Sequence, residues 1–169
     1  MSDPVELDGD AYAHLRELAG RIHARHGFGH ATLQPTVLLH EAWMKLEQAS
    51  STYESRAHFM ATAARAMRQI LVDRARYAGA AKRGGGRRRV TLTGLPDAPD
   101  QVLDALVVDR ALDGLQAINA RAAEVALMRA FGGMTNADIA TVLDVTTRTV
   151  ERDWRFATQY LADQIASER

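Results

Sequence analysis

Between Thr135 and Leu161 the apolar residues fall into two helical registers separated by a short polar break, and few folds accommodate that pattern. Ile139, Ala140 and Leu143 give a first segment one apolar stripe. Val150, Trp154, Ala157 and Leu161 give a second segment its own, at spacings of four, three and four. Thr135 with Asp138 three residues on has the form of a capping box with Asp in place of Glu, and Thr146 is placed to cap the second helix. The break reads L-D-V-T. Two amphipathic helices this close must pack on each other, so the pattern predicts a helix-turn-helix with small Ala140 at the close contact.

The polar face of the second helix is unusual. Arg148, Arg152 and Arg155 stand at i, i+4 and i+7, away from Val150 and Trp154, with Thr149 and Glu151 in the same N-terminal turns. A helix that enters the major groove by its first turns uses such guanidiniums to donate paired hydrogen bonds to guanine, at about 1–3 kcal/mol of discrimination per good pair. The competing reading is a solvated charged face in which Glu151 and Asp153 neutralise the arginines.

With 21 basic and 21 acidic side chains among 169 residues, the net charge is zero and gives no hint of a nucleic-acid partner. The distribution does. Arg65, Arg68, Arg74, Arg76, Lys82, Arg83, Arg87, Arg88 and Arg89 form a basic block interrupted only by Asp73, and the balancing acids flank it. Such a block suits phosphates and a salt-sensitive interaction. The absence of cysteine excludes disulfides and thiolate metal sites and fits a reducing, cytoplasmic setting. No apolar run approaches the roughly 20 residues a bilayer requires, so no membrane insertion is expected.

Other chemistry finds little support. His23, His26 and His30 have a ligand-like spacing but straddle Gly27 and Gly29, where a helix should end, so surface or cap roles are expected and no metal. The glycines at 84–86 lack the Lys-Ser/Thr of a phosphate loop. No Ser/His/Asp set lies in a recognisable motif; no catalytic residue, cofactor or enzymatic activity is expected.

Helical periodicity covers nearly the whole chain. Leu15, Leu18 and Ile22 mark a helix capped near Asp10 and ended by Gly27; Pro35 opens a second with Val37, Leu38, Ala42, Trp43 and Leu46 inward. A third starts after Ser55, carries Phe59, Met60, Ala63, Met67, Ile70, Leu71 and Tyr77, and dissolves in AGAAKRGGGRRR. Beyond, Asp100 is placed to cap a helix with Leu103, Leu106, Val107, Leu112, Leu115 and Ile118, and Asn119 another with Val125, Leu127, Met128 and Phe131. Val90 to Leu95 is extended at most. The expected fold is all-α, two small helical bundles joined by a flexible basic linker, with bounds of 1–83, 84–100 and 101–169.

Three stretches, TLQPTVLLHEAWMKL, SRAHFMATAARAMRQILVDRARYAGAAKRGGGRRRVTL and ARAAEVALMRAFGGMTNADIATVLDVTTRTVERDWRFA, resemble in order and spacing three blocks of the bacterial extracytoplasmic function (ECF) sigma factors. The resemblance implies an alternative sigma factor that binds core RNA polymerase and promoter DNA, with a first domain that melts the downstream promoter element and a second that reads the upstream one. It implies polymerase docking through Leu38, Leu39, Glu41, Ala42 and Lys45; the residues themselves read as Leu39 and Glu41 exposed, with Leu38, Ala42 and Trp43 also suited to the bundle core. It assigns the downstream element to Tyr53, Arg56, His58 and Phe59 for stacking and to Arg65, Arg68, Arg74 and Arg76 for phosphates, although Phe59 equally suits a core position. Arg148, Thr149, Glu151, Arg152 and Arg155 take the upstream element.

The chain departs from the family pattern where many members carry acids before the polymerase-binding helix: here stand Gln34, Pro35, Thr36 and Val37. The neighbouring hydroxyls Ser50, Ser51, Thr52 and Tyr53 offer a substitute, because a phosphate adds about −1.5 to −2 of charge and three acceptor oxygens. Thr52, then Ser51, are the candidates for control by a Ser/Thr kinase; an inhibitory anti-sigma partner is the other route of control. The alternative function is a helix-turn-helix regulator that acts without entering the polymerase.

Overall fold

The computed structural model describes residues 5–26, 34–49, 52–81, 89–91 and 102–167. Seven helices appear among them: α1 (Gly9–His26), α2 (Pro35–Ala49), α3 (Arg56–Ala81), α4 (Ala105–Ile118), α5 (Ala120–Ala130), α6 (Asn136–Leu143) and α7 (Thr147–Ser167). Two short antiparallel pairs accompany them. β1 (Val5–Glu6) lies on β2 (Thr52–Tyr53), with Val5 opposite Tyr53 and Glu6 opposite Thr52. β3 (Arg89–Thr91) lies on β4 (Val102–Asp104), with Val90 opposite Leu103. The fold is all-α.

The helix starts follow from local chemistry. Asp8 Oδ1 accepts the amides of Asp10 and Ala11 at 3.0 Å each, so Asp8 caps α1, close to Asp10 as expected. Ser55 Oγ accepts the His58 amide at 3.2 Å and Asn119 Oδ1 the Ala122 amide at 3.1 Å. Thr135 and Asp138 form the expected capping box on α6, and Thr146 Oγ accepts the Thr149 amide at 3.2 Å at the head of α7. Between those helices Asp144 takes the left-handed conformation at φ 51, and Val145 donates back to Ala140 at 3.0 Å. Gly133, at φ +60, ends the turn after α5.

Three boundaries differ from expectation. The Ala-rich end of α3 stays helical to Ala81, as the propensity of alanine favours. The helix expected from Asp100 begins at Ala105, because Val102–Asp104 instead pairs with Arg89–Thr91; the pairing satisfies backbone groups that a helix start would leave open. Val90, expected to be merely extended, is thus in a strand. Asp100, Gly27, His30 and residues 84–86 lie outside the described residues.

Buried side chains run without a break from Leu15, Leu38, Phe59 and Met67 through α3 to Leu112, Leu115, Met128, Ile139 and Leu161. Each large side chain removed from water contributes about 1.5–3 kcal/mol. α3 makes the link, for it packs on α1's neighbour α2 on one side and on α4, α5 and α6 on the other. Gly132 sits where an added Cβ would come within 3.2 Å of the Ala64 Cβ, so α3 and the end of α5 approach closely there. Val37, Tyr77 and Ile118, expected inward, are exposed.

Candidate nucleic-acid interface

The outward face of α7 gathers Thr146, Arg148, Thr149, Glu151, Arg152 and Arg155 around one shallow concavity. Val150, Ala157, Leu161 and Ile165 bury the opposite face, with Trp154 half-buried. Arg129 of α5 stacks its guanidinium 4.7 Å from the Trp154 ring and donates to Asn136 Oδ1 at 2.5 Å, which ties α5, α6 and α7 together. Gly114 lets α4 approach α7, since a Cβ there would meet the Tyr160 hydroxyl at 2.6 Å.

Asp153 does not neutralise the arginine stripe. It is 3 % exposed, points inward and receives the guanidinium of Arg121 from α5. That hydrogen bond, then the carboxylate charge, raises the Arg121 pKa. Arg152, 70 % exposed, reaches Asp153 only at 3.9 Å. Arg148, Glu151 and Arg155 are exposed and have no ion pair among the described residues. The face therefore presents cations and two hydroxyls with little internal compensation.

The α3 surface is different. Arg65 donates to Glu124 Oε2 at 2.5 Å; Arg68 reaches Asp109 at 2.6 Å and Asp113 at 2.8 Å; Arg76 reaches Asp109 at 3.1 Å. Arg74 pairs with Glu41 of α2. All four arginines assigned to phosphates by resemblance thus hold carboxylates. Arg56 is exposed at the start of α3. Tyr53 and Phe59, expected to stack on bases, are 4 % and 1 % exposed. Their rings meet edge to face at 5.4 Å, and the Tyr53 hydroxyl donates to the Leu46 carbonyl at 2.9 Å, so both close the seam between α2 and α3. Burial also pushes the Tyr53 pKa up. His58, half-buried, packs on Tyr53 at 5.9 Å.

On α2, Leu38, Leu39 and Ala42 are core residues. Leu39 is therefore not the exposed contact expected of it, because it lies on the stripe that packs against α1 and α3. Glu41 is half-buried against Arg74, and Lys45 is exposed. Trp43 is half-buried rather than fully inside; it meets Tyr12 edge to face at 5.4 Å and donates to Glu47 at 2.7 Å. The helix instead shows solvent Val37 and Met44, the latter 58 % exposed. Their spacing of seven, off the core stripe, was the available signal for an apolar surface. Thr52 is exposed on β2, opposite Glu6; Ser51 lies outside the described residues, as do Lys82, Arg83, Arg87 and Arg88.

No helix among the described residues is long and apolar enough to cross a membrane, and none of their His, Asp or Glu side chains cluster as metal ligands. No curated protein and no solved structure is significantly similar to the chain. The family model for the ECF sigma factors matches residues 6–167, nearly the whole chain, which therefore belongs to that family of alternative sigma factors for transcription initiation.

Proposed function

We propose that this sigma factor reads the upstream promoter element with the outward face of α7. Arg148 and Arg152 contact base edges, Thr149 and Glu151 fill the same turns, and Arg155 lies next to the phosphates. The observation that supports this best is the inward turn of Asp153 onto Arg121, which leaves the arginine stripe with little internal compensation. Glu151 accepts from exposed cytosine amino groups in such a groove.

The segment 1–83 serves as the promoter-melting domain, 84–100 as the linker and 101–169 as the upstream-element domain. Downstream, Arg56 and His58 lie at the head of α3 where an unstacked base can be met, and Arg65, Arg68 and Arg76 serve phosphates once their carboxylate partners leave. Core polymerase docks on the exposed side of α2, where Val37, Met44 and Lys45 surround Glu41. The protein works in the cytoplasm and without catalysis of its own.

Thr52 supplies the control point for a Ser/Thr kinase. Its exposure and its place across from Glu6 support this, because a phosphate there repels the Glu6 carboxylate and loosens the β1–β2 pair beside α2. Co-purification with core polymerase and start-specific transcription in vitro test the whole reading. Activity at a promoter without added core would favour a regulator that never enters the polymerase.

A further inference from the structure

The aromatic side chains of α7 have different fates. Trp154 is half-buried, with the Arg129 guanidinium 4.7 Å from its ring, and Tyr160 is half-buried where α4 approaches α7 at Gly114. Phe156 is 42 % exposed. It does not belong to the core stripe: at about 100° per residue it stands about 120° round the helix from buried Val150, but only about 40° from Arg152 and about 20° from Thr149. Along the axis it lies about 6 Å beyond Arg152 and about 12 Å beyond Arg148, at a rise of about 1.5 Å per residue. Phe156 thus extends the arginine-bearing face by one further turn. A helical side chain leans toward the N-terminus, so its ring covers surface next to Arg152.

We infer that Phe156 is a specificity-determining residue that reads the 5-methyl group of a thymine in the upstream element. A phenyl ring offers no donor to phosphates or to base edges. Among the groups that base pairs present in the major groove, the thymine methyl is the apolar one, and Phe is among the side chains that meet it. The neighbours favour DNA over an apolar protein surface. Arg152, 70 % exposed, and Arg155, also exposed, flank the ring, and a protein partner closing over it would have to desolvate both guanidiniums without supplying phosphates. In a major groove the same two cations find anions and acceptors while the ring finds a methyl.

The spacing makes the inference narrower. If Arg152 reads a guanine, the roughly 6 Å step to Phe156 corresponds to about two base pairs at about 3.4 Å each. The thymine therefore lies within about two base pairs of that guanine, on either strand.

This inference rests on α7 reading the upstream element, as proposed above, and the test separates the two. Holoenzyme reconstituted with the full chain is titrated onto promoters in which each thymine of the upstream element is replaced singly by deoxyuridine, which keeps the base pair and removes only the methyl. Wild type should bind about fourfold more weakly at one such position, the worth of one buried methyl-sized group. That position should lie within about two base pairs of the one at which Arg152→Ala loses discrimination. Phe156→Ala should bind the unmodified promoter about as weakly as wild type binds the uracil template, and uracil should then have no further effect. Each protein is compared with itself on two templates, so partial unfolding of the variant scales both and does not mimic lost discrimination. Uracil sensitivity that persists in Phe156→Ala, or that is absent from wild type at every position, overturns the inference. Weakening by Phe156→Ala on all templates alike, with uracil sensitivity intact, means that the ring meets polymerase and overturns it too. Upstream protection lost in the Arg148→Ala, Arg152→Ala, Arg155→Ala variant, without uracil sensitivity in wild type, removes Phe156 alone and leaves the proposed function standing; protection kept in that variant removes both.

Discussion

Arg121 on α5 donates to the carboxylate of Asp153 on α7 and so turns an acid in the middle of the arginine stripe toward the protein interior. Asp153 is buried and Arg121 half-exposed, so the pair positions α7 on α5 while it keeps the carboxylate off the arginine-bearing side. Removing the arginine leaves a buried carboxylate without its partner. Arg121→Ala should lower the urea midpoint of unfolding, because it leaves the buried Asp153 carboxylate unsatisfied. It should also weaken promoter binding, because the freed carboxylate is already 3.9 Å from Arg152.

Arg152 and Arg155 should differ in kind. If Arg152 reads a base, Arg152→Ala loses about 1–3 kcal/mol of discrimination at one promoter position and leaves others unaffected. If Arg155 holds a phosphate, Arg155→Ala weakens all sequences alike and lowers the salt slope by about 0.9. Binding of the holoenzyme to a set of single-base promoter variants at several salt concentrations separates the two.

Tyr53 predicts an alkaline effect. Burial raises its pKa above the ordinary 10.0, so the folded chain keeps the phenolic proton longer than the unfolded chain does. Stability from this group is complete below about pH 10 and is lost as pH rises through the higher folded value. Tyr53→Phe should make the alkaline fall in melting temperature shallower, and at neutral pH it should cost about 1 kcal/mol for the lost bond to the Leu46 carbonyl.

Thr52 makes the regulatory reading open to a direct comparison. Thr52→Asp should bind core polymerase more tightly than wild type or Thr52→Ala. Equal core binding and equal transcription by all three proteins would remove phosphorylation at this position from the account.

What was legible in the sequence was local. The capping box of Thr135 and Asp138, the Asn119 and Thr146 caps and the stripes of α6 and α7 depend on residues three or four apart, and the structure has them as read. The arginine pairing was not legible, because Arg76, Arg68 and Arg65 find their partners 33 to 59 positions away. Tyr53 and Phe59 have the residue types for stacking on bases, and only the approach of α2 to α3 shows that each ring is already occupied. The β3–β4 pair escaped for the same reason: three residues carry little periodicity, and their partners lie 11 to 15 positions away. Val37, Met44, Tyr77 and Ile118 show the converse, apolar side chains that periodicity or type would place inside and that the packing leaves in solvent.

The most direct test of the central claim is a footprint of holoenzyme reconstituted from core polymerase and this protein on promoters it initiates from in vitro, with wild type beside the Arg148→Ala, Arg152→Ala, Arg155→Ala triple variant. The account predicts wild-type protection over both an upstream and a downstream element, with the upstream protection and start-specific transcript lost in the variant while core binding persists. Equal upstream protection by both proteins would contradict the assignment of α7 as the reader.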